Sequence, residues 1–415
     1  MISKLPSSSA RAAATVLLLV AILYPDGLRD IELRPLPRTI TSRFFGMHVH
    51  RAVEGTAWPA VPFGSWRLWD AHVTWADIEP GQRTWNWTRL DAYVALAQAH
   101  DVEILLTLGM TPQWASSQPN LQADTGLGYP QGAQAPPVRL EDWTDYVRTV
   151  ALRYRGRIRY YEIWNEPNQS AFYRGSPQQM AELSKAAYGV LKAVDSANVV
   201  VSPSANCDEA GRLWLSRFLA AGGATFADVI GGHFYVMPRG PEAMVQEIEQ
   251  VQSLLRSFHL HKPLWNTEAG WGPPSTFSSE SEEAAFVVRT LLLNAAAGVE
   301  RVYWYAWDNS NWVRLKLADP LTGKTRGAGL AYAELYQRLV GARVDECRAR
   351  GSIWSCTIQA DDERWQILWS DVKTMLCTVA PRTQDLSYFH CANGNVGHRA
   401  EVEIGTCPLV FKESP

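Results

Sequence analysis

The 415-residue sequence lacks a dominant charge, since 39 Lys and Arg residues nearly balance 42 Asp and Glu residues for a net charge of -3. The basic residues are scattered, so the basic stripe that binds nucleic acid is missing and we expect no nucleic-acid partner. Internal repeats and low-complexity segments are missing too. Hydrophobic residues make up 47% and charged residues 20% of the chain, as in ordinary globular proteins.

The N-terminus lacks an apolar run long enough to cross a bilayer comfortably. Lys4 and Arg11 precede an apolar stretch at residues 12–24. A membrane-spanning helix needs about 20 apolar residues, whereas a basic start followed by a shorter apolar core is typical of an export signal. We therefore expect residues 1–27 to be a signal peptide or an N-terminal membrane tether. The remainder is predicted to be exported, whether secreted, periplasmic or on the cell surface.

Cysteine is scarce, and none of the six cysteines falls in the paired C-x2-C spacing of zinc sites. Cys207 is alone in the first 346 residues, and the other five lie between residues 347 and 407. This crowding predicts disulfides in a small exported domain. The separations favour Cys347 with Cys356 and Cys377 with Cys391, although six cysteines allow 15 connectivities.

Residues 39–341 alternate short apolar strand candidates with amphipathic helical stretches, which is the pattern of parallel βα units. The strand candidates are 44–48, 65–69, 103–108, 160–164, 199–203, 229–234, 263–267 and 302–306. The clearest helical stretches are 90–99, 141–153, 177–195, 242–258 and 280–297. Eight strands over about 300 residues predict a (β/α)8 TIM barrel.

After residue 341 the pattern changes to short alternating runs separated by turn residues. These runs are 352–359, 364–370, 374–379, 386–391 and 400–406. They predict a small, sandwich-like antiparallel β domain over residues 342–415. Two domains also agree with a length beyond the usual limit of one hydrophobic core. We expect the protein to be a monomer.

Two glutamates stand where predicted strands on opposite sides of the barrel end. Glu166 follows the fourth strand and Glu268 ends the seventh. Barrel enzymes place their active sites at these strand ends, and two facing tips can hold carboxyls about 5 to 5.5 Å apart. That is the separation used in retaining glycoside hydrolysis. The alternative interpretation is a pair of solvated loop glutamates.

The segment Trp164-Asn165-Glu166-Pro167 resembles glycoside hydrolase clan A, whose acid/base glutamate follows an asparagine on strand four. Further segments in the clan's order are 66–70, 78–80, 85–87 and 111–115. The resemblance covers most of the barrel and is greatest to family 39 and next to family 5. It implies that Glu166 is the general acid/base and Glu268 the nucleophile of a retaining enzyme with no metal or organic cofactor.

The resemblance also implies roles for residues around the two glutamates. Asn165 is expected to bind the 2-hydroxyl of the sugar at the cleavage point. Arg67 is expected beside the nucleophile, where a cation favours the charged carboxylate. His233 and Tyr235 match a His-x-Tyr segment in which the tyrosine hydroxyl contacts the nucleophile.

The 18 tryptophans suggest stacking faces for sugar rings, although each one taken alone is better explained by core packing. Trp304, rather than Trp307, is predicted to form the floor under the reacting sugar, and Trp114 to line a neighbouring subsite. His48 and His50 share one face of the first strand. Two histidines are too few for a metal site, so we expect His48 to contact a sugar hydroxyl instead.

The sequence thus predicts a hydrolase that cleaves a β-linked polysaccharide or oligosaccharide by double displacement. The insertion at 116–137, rich in Gly, Pro and Gln, favours a cleft wall and endo-action on an exopolysaccharide. Two alternatives remain open. A catalytically silent glycan-binding barrel in a cell-surface assembly would not need two opposed carboxyls, and a transglycosylase would use the same residues and differ only in its products.

Overall fold

The computed structural model describes residues 30–122, 128–308, 312–372, 375–378, 384–390 and 401–413. The predicted N-terminal signal or tether lies outside these residues. Within them, no helix combines the length and the apolar character needed to cross a membrane.

Strands and helices alternate along the first 340 residues, and strands alone follow. The strands are β1 (Ile31–Leu33), β2 (Phe45–Met47), β3 (Ser65–Leu68), β4 (Glu103–Leu108), β5 (Tyr160–Ile163), β6 (Val199–Val201), β7 (Ala205–Asn206), β8 (Ile230–His233), β9 (Leu264–Ala269), β10 (Arg301–Trp304), β11 (Arg343–Arg350), β12 (Ile353–Ala360), β13 (Glu363–Ser370), β14 (Met375–Thr378), β15 (Gln384–Tyr388), β16 (Glu401–Ile404) and β17 (Leu409–Lys412). The helices are α1 (Trp75–Ile78), α2 (Thr88–Ala99), α3 (Leu140–Arg153), α4 (Pro177–Val194), α5 (Glu209–Ala220), α6 (Ala243–Ser257), α7 (Glu280–Ala296) and α8 (Gly327–Leu339).

Strands β2 to β10 form one parallel sheet in the order β6-β5-β4-β3-β2-β10-β9-β8-β7. Strands β6 and β7 are two pieces of one interrupted barrel strand, and a bridge between Val201 and Val229 closes the ring. The predicted (β/α)8 barrel is therefore confirmed, and all eight predicted strands are present. The five predicted helices correspond to α2, α3, α4, α6 and α7, whereas the sequence analysis did not predict α1, α5 and α8.

The barrel interior is filled by side chains that alternate along each strand. Its lower half is apolar and contains Leu105, Val201, Val229, Trp265 and Tyr303. In a strand every second residue points the same way. The inward positions further along these strands therefore lie above these apolar residues, at the carboxyl ends of the strands. Those upper inward positions carry the polar groups of the site described below.

The C-terminal part is an antiparallel sheet, as predicted, in the order β1-β11-β12-β13-β17-β15, while β14 pairs with β16. The sequence analysis did not place Ile31–Leu33 in this sheet, yet β1 pairs with Cys347, Arg348 and Ala349 of β11. The module packs on the barrel, and the Trp369 indole donates to Glu242 beside α6 at 2.8 Å. The chain before the barrel thus ends up as an edge strand of the module after it.

One predicted disulfide is confirmed. Cys347 and Cys356 face each other across β11 and β12 and are bonded. Cys207 is a buried free thiol, and Cys407 is also disulfide-bonded. The predicted pairing of Cys377 with Cys391 falls on side chains outside the described part of the chain.

Candidate active site

Arg67 organises the mouth of the barrel from the inward face of β3, where its side chain is fully buried. Its Nη1 donates to Glu268 Oε1 at 2.6 Å, and its Nη2 donates to Asn165 Oδ1 at 2.7 Å. Its Nε donates to Glu162 Oε2 at 2.7 Å. One guanidinium therefore joins three strands and brings together three of the predicted site residues with one, Glu162, that was not predicted.

Glu268 reaches the barrel interior because β9 is irregular. The pairing of β8 with β9 shifts by one residue between Gly232 and His233, which is the signature of a β-bulge. As a result two consecutive residues turn inward: Thr267 donates to Ser204 Oγ at 2.8 Å, and Glu268 accepts from Arg67. The bulge aims the glutamate at the centre of the mouth.

Glu166 lies just beyond β5, on backbone held in an uncommon conformation. Trp164 and Glu166 have φ angles of 65° and 41°, in the left-handed region that non-glycine residues seldom adopt. The Glu166 N–H donates to the Ser204 carbonyl at 2.8 Å, and Asn165 forms a bridge with Ser204. Pairing with the neighbouring barrel strand thus fixes where the glutamate side chain emerges.

His233, on the inward face of β8, lies between the two glutamates. Its Nδ1 is 2.8 Å from Glu166 Oε1 and 3.5 Å from Glu268 Oε2. Tyr235, two residues on, donates its hydroxyl to Glu268 Oε2 at 3.0 Å. Both oxygens of Glu268 therefore accept a hydrogen bond from a side chain that the sequence had assigned to the site.

Burial dominates the titration of this cluster. Burial raises the pKa of Glu166 to about 7, with Arg67 opposing the shift and Asp70 and Asp208 adding to it. Burial also raises the pKa of Glu268, with His233 and Arg67 opposing the shift. The hydrogen bonds donated by Arg67 and Tyr235 favour the ionised form of Glu268. Of the two glutamates, Glu166 is therefore the one that holds a proton.

The same burial lowers the pKa of His233 to about 4, so its imidazole is neutral near pH 7. A neutral ring can donate to an ionised Glu166 or accept from a protonated one, depending on which nitrogen carries hydrogen. His233 therefore tolerates both protonation states of Glu166.

One group of ligand-type side chains in the described part of the chain is close enough to hold a cation. Single atoms of Glu166, His233 and Glu268 lie within 4.8 Å of one another. The hydrogen bonds from Arg67 and Tyr235 already occupy Glu268. The group is therefore better described as two carboxyls arranged for proton transfer. The positively charged guanidinium of Arg67 would repel a cation placed there.

His48 lies against this cluster, fully buried on β2's carboxyl side. Its Nε2 is 3.1 Å from the Thr267 carbonyl, and its ring packs on Tyr305 with centroids 5.0 Å apart. Its Nδ1, like Nε2 of His50, has no hydrogen-bond partner among the described residues. His48 thus lies beside the residue that precedes Glu268, with one buried ring nitrogen that has no partner among the described residues, and its contact with a sugar hydroxyl stays a prediction.

Trp304 does not form the floor of the site, contrary to prediction. It is fully buried and its ring meets Phe286 of α7 at 6.5 Å, so it points outward between sheet and helices. Side chains alternate along a strand, and Tyr303 already occupies the interior. The inward aromatic residue is therefore Tyr305, whose hydroxyl donates to Asp70 at 2.6 Å.

Trp114 packs on Trp75, with ring centroids 6.1 Å apart, and donates its indole N–H to the Glu79 carbonyl at 2.9 Å. It makes no described contact with the two glutamates. A different aromatic residue, Trp312, meets Tyr235 at 5.3 Å and Tyr305 at 5.8 Å. It lies in an irregular loop after β10, where the sequence carries no periodic signal.

Asp70 was also missed as a site residue, although it ends the segment 66–70 that resembles clan A. Each of its oxygens accepts from a tyrosine hydroxyl, from Tyr129 at 2.7 Å and from Tyr305 at 2.6 Å. Tyr129 belongs to the insertion at 116–137, so this loop reaches the mouth of the barrel. Asp70 is half-buried and carries negative charge toward both glutamates.

Comparisons with known proteins agree with this geometry. A family model described as the glycosyl hydrolase catalytic core matches residues 140–322, which include Glu166 and Glu268. A beta-xylosidase of Geobacillus stearothermophilus is 24% identical over 236 residues, covering 50% of this chain and 45% of its own length. The match therefore spans less than half of that relative.

Several solved structures share the fold at low sequence identity. A family 39 glycoside hydrolase from Bacteroides cellulosilyticus WH2 superposes with a TM-score of 0.67 at 18% identity, covering 91% of this chain and 82% of that one. A family 39 beta-xylosidase from Caulobacter crescentus gives 0.60 at 15% identity, covering 92% and 99%. A family 30 xylanase C catalytic domain from Talaromyces cellulolyticus gives 0.63 at 13% identity, covering 92% and 99%.

The fold and the site together are similar to those of barrel glycoside hydrolases of clan A. More particularly, the chain is similar to family 39 glycoside hydrolases and carries a C-terminal β module, and the predicted resemblance is confirmed.

Proposed function

We propose that this protein hydrolyses β-linked glycosidic bonds with retention of anomeric configuration, using Glu268 as nucleophile and Glu166 as acid/base. The observation that carries the proposal is the close approach of the two glutamates, whose nearest ligand-type oxygens lie within 4.8 Å of each other. Retaining enzymes hold their carboxyls about 5 to 5.5 Å apart, whereas inverting enzymes need about 6.5 to 9.5 Å for an intervening water.

In the first step, a Glu268 oxygen attacks the anomeric carbon as the bond to the glycosidic oxygen breaks. Glu166 gives its proton to that oxygen, and the leaving sugar departs neutral. Arg67 and Tyr235 hold the nucleophile by both oxygens. Asn165, oriented by Arg67 at 2.7 Å, presents its amide N–H2 to the sugar's 2-hydroxyl.

In the second step, water attacks the glycosyl ester and Glu166 takes the water's proton. The ester has removed the negative charge of Glu268, so the pKa of Glu166 is lower at this stage and its ionised form is favoured. Breaking the ester restores both the Glu268 carboxylate and the protonated Glu166. Each step inverts the configuration at the anomeric carbon, so the two steps together retain it.

For the substrate we propose a β-linked oligosaccharide or polysaccharide, with xylose-containing chains as the first to test because relatives include beta-xylosidases and a xylanase. The insertion at 116–137 sends Tyr129 to Asp70 at the mouth. We propose that this loop walls one end of a cleft and that the enzyme cuts within an exopolysaccharide. Export of a monomer, secreted or tethered, is also proposed, and the bonded pair Cys347–Cys356 supports an oxidising compartment.

The test uses xylo-oligosaccharides together with a panel of purified bacterial and plant polysaccharides. Reducing-end release identifies the substrate, and proton NMR of the first product identifies the anomer. The proposal expects the β-anomer to appear first and to mutarotate afterwards. The α-anomer appearing first would refute retention, binding without any release would favour the glycan-binding barrel, and products longer than the substrate would favour transglycosylation.

A further inference from the structure

Glu162 is a carboxylate that the proposed mechanism does not use, although it lies directly beneath it. The residue is on the inward face of β5, four positions before Glu166, and has no exposed surface. Burying a carboxylate in this way is costly unless its charge is paired and its oxygens are hydrogen-bonded. Its surroundings therefore have to account for its presence.

Every oxygen of Glu162 is engaged. Oε2 accepts from Arg67 and, at 2.6 Å, from the Thr107 hydroxyl. Oε1 accepts from the Ser204 hydroxyl at 2.5 Å, and Ser204 in turn accepts from Thr267, the residue before the nucleophile. With the Thr267 contact to Ser204 included, these hydrogen bonds come from four barrel strands or their ends, so the carboxylate is held rigidly.

Negative and positive side chains alternate at the mouth of the barrel. Arg67 lies between Glu162 on one side and Glu268 on the other, at 2.7 Å and 2.6 Å. A guanidinium with no other partner would favour ionisation of every nearby carboxyl, including the one that must stay protonated. The Glu162 carboxylate on the far side of the guanidinium offsets that influence and fixes the direction in which the guanidinium points.

We propose that Glu162 is a positioning residue that holds the Arg67 guanidinium against the nucleophile, and that its own charge offsets that of Arg67 at Glu166, so that Glu166 remains an acid. This inference rests on the proposed roles of Glu166 and Glu268. The other charged or titratable groups around Glu166 are Arg67 and Asp70 from β3 and its end, Asp208 after β7, His233 and Tyr235 from β8 and its end, and Glu268 from β9.

The test is a titration that does not depend on turnover. Protein labelled with carbon-13 at the glutamate side-chain carboxyl is titrated by NMR, and the Glu166 signal is identified by its loss in Glu166→Gln. Glu162→Gln keeps the shape of the side chain and removes its charge. We expect the Glu166 midpoint to fall by about one pH unit, the effect of one nearby buried charge at an effective dielectric of about 20.

Two further variants separate charge from shape. Glu283→Gln makes the same change at a buried glutamate of α7 that pairs with Arg326, and it should leave the Glu166 midpoint unchanged. Glu162→Asp keeps the charge but shortens the reach to Arg67, so its midpoint should stay near that of the wild type while kcat falls. An unchanged or raised midpoint in Glu162→Gln overturns the proposal.

If Glu162→Gln does not fold, as judged by circular dichroism, Arg67→Met is compared with the double variant Arg67→Met/Glu162→Gln. The double variant must titrate at lower pH than the single one, and equal midpoints overturn the proposal. Where a substrate has been found, kcat/KM of Glu162→Gln should fall about tenfold at pH 8 and hardly at pH 5. Absence of turnover in the wild type would contradict the proposed function, while the NMR midpoints would still decide the role of Glu162.

Discussion

The two ends of the barrel each bury an arginine, and the two arginines are held in different ways. At the carboxyl end, Arg67 donates to two carboxylates and an amide that face the open mouth. At the amino end, Arg301 lies over the rings of Tyr160 and Trp265, 4.2 Å and 4.4 Å from their centroids. Its one short ion pair, 2.8 Å long, is with the half-buried Glu103.

The comparison separates a charge used for chemistry from a charge used for packing. Aromatic faces and a half-buried partner hold a cation without shifting the pKa of a reactive group. In the buried mouth around Arg67, burial itself raises the pKa of the reactive Glu166 to about 7, and the charges of Asp70 and Asp208 add to that shift. Stability should depend on the amino end, and turnover on the carboxyl end.

The largest expected effect comes from Glu268→Gln, which removes the nucleophile but keeps its shape. Because an amide cannot form the glycosyl ester, kcat should fall by about 10⁴-fold or more while the protein still folds. The matched control is Glu103→Gln, the carboxyl partner of Arg301 at the opposite end, which should keep near wild-type turnover. Activity of Glu268→Gln within about tenfold of the wild type would remove Glu268 from the mechanism.

Glu166→Ala should have the next largest effect, and the effect should depend on the leaving group. Natural sugar leaving groups should lose the roughly 10² to 10⁴-fold that general acid catalysis supplies, whereas activated aryl glycosides should still form the glycosyl-enzyme. Added azide needs no general base and should restore turnover, giving a β-glycosyl azide. Equal loss on both substrates with no response to azide would contradict the assignment, and an α-azide would contradict retention.

A direct test of the comparison exchanges the two buried arginines for methionine, one at a time. Arg67→Met should lower kcat about 10² to 10³-fold, since it removes a donor to the nucleophile. Arg301→Met should lower the free energy of unfolding by about 1 to 3 kcal/mol through lost cation–π and ion-pair contacts, and leave kcat/KM of the folded protein unchanged. The comparison fails if Arg301→Met is the variant that loses turnover in its folded form.

The pH dependence of kcat/KM should be set by titrating groups at the carboxyl end of the barrel alone. Glu166 must be protonated to act as an acid, and burial raises its pKa to about 7. The value of kcat/KM should therefore fall about tenfold for each pH unit above about 7. An alkaline limit that stays in place in Glu166→Gln, measured with an activated substrate, would show that another group sets it.

The smallest effect on turnover should come from the C-terminal module. Replacing Cys347 and Cys356 together by serine removes the disulfide between residues nine positions apart. The loss should lower the free energy of unfolding by about 2 to 3 kcal/mol. Thermal unfolding with and without a reducing agent measures that loss. The kinetic constants of the folded variant should match the wild type, because neither cysteine contacts the barrel mouth, and a changed kcat/KM would tie the module to the site.

Much of the site could be predicted because its residues end strands whose period is visible in the sequence. Asn165, His48, His233 and Tyr235 all lie where the predicted strand ends place them, around the two glutamates. Trp304 could not be predicted correctly. Choosing between adjacent aromatic residues requires knowing which face of β10 is inward, and a one-residue change of register reverses every side chain.

By itself the sequence determined the alternation of strands and helices, and hence the barrel, because burial imposes a period of two or of 3.6 on the apolar residues. It also determined which glutamates end the strands. Tertiary structure alone decided the bulge that turns Glu268 inward and the edge strand Ile31–Leu33 in the C-terminal sheet. It also decided the contact of Arg67 with Glu162, 95 positions away. Such contacts join residues far apart in the chain, so no local period records them and only the closed barrel brings them together.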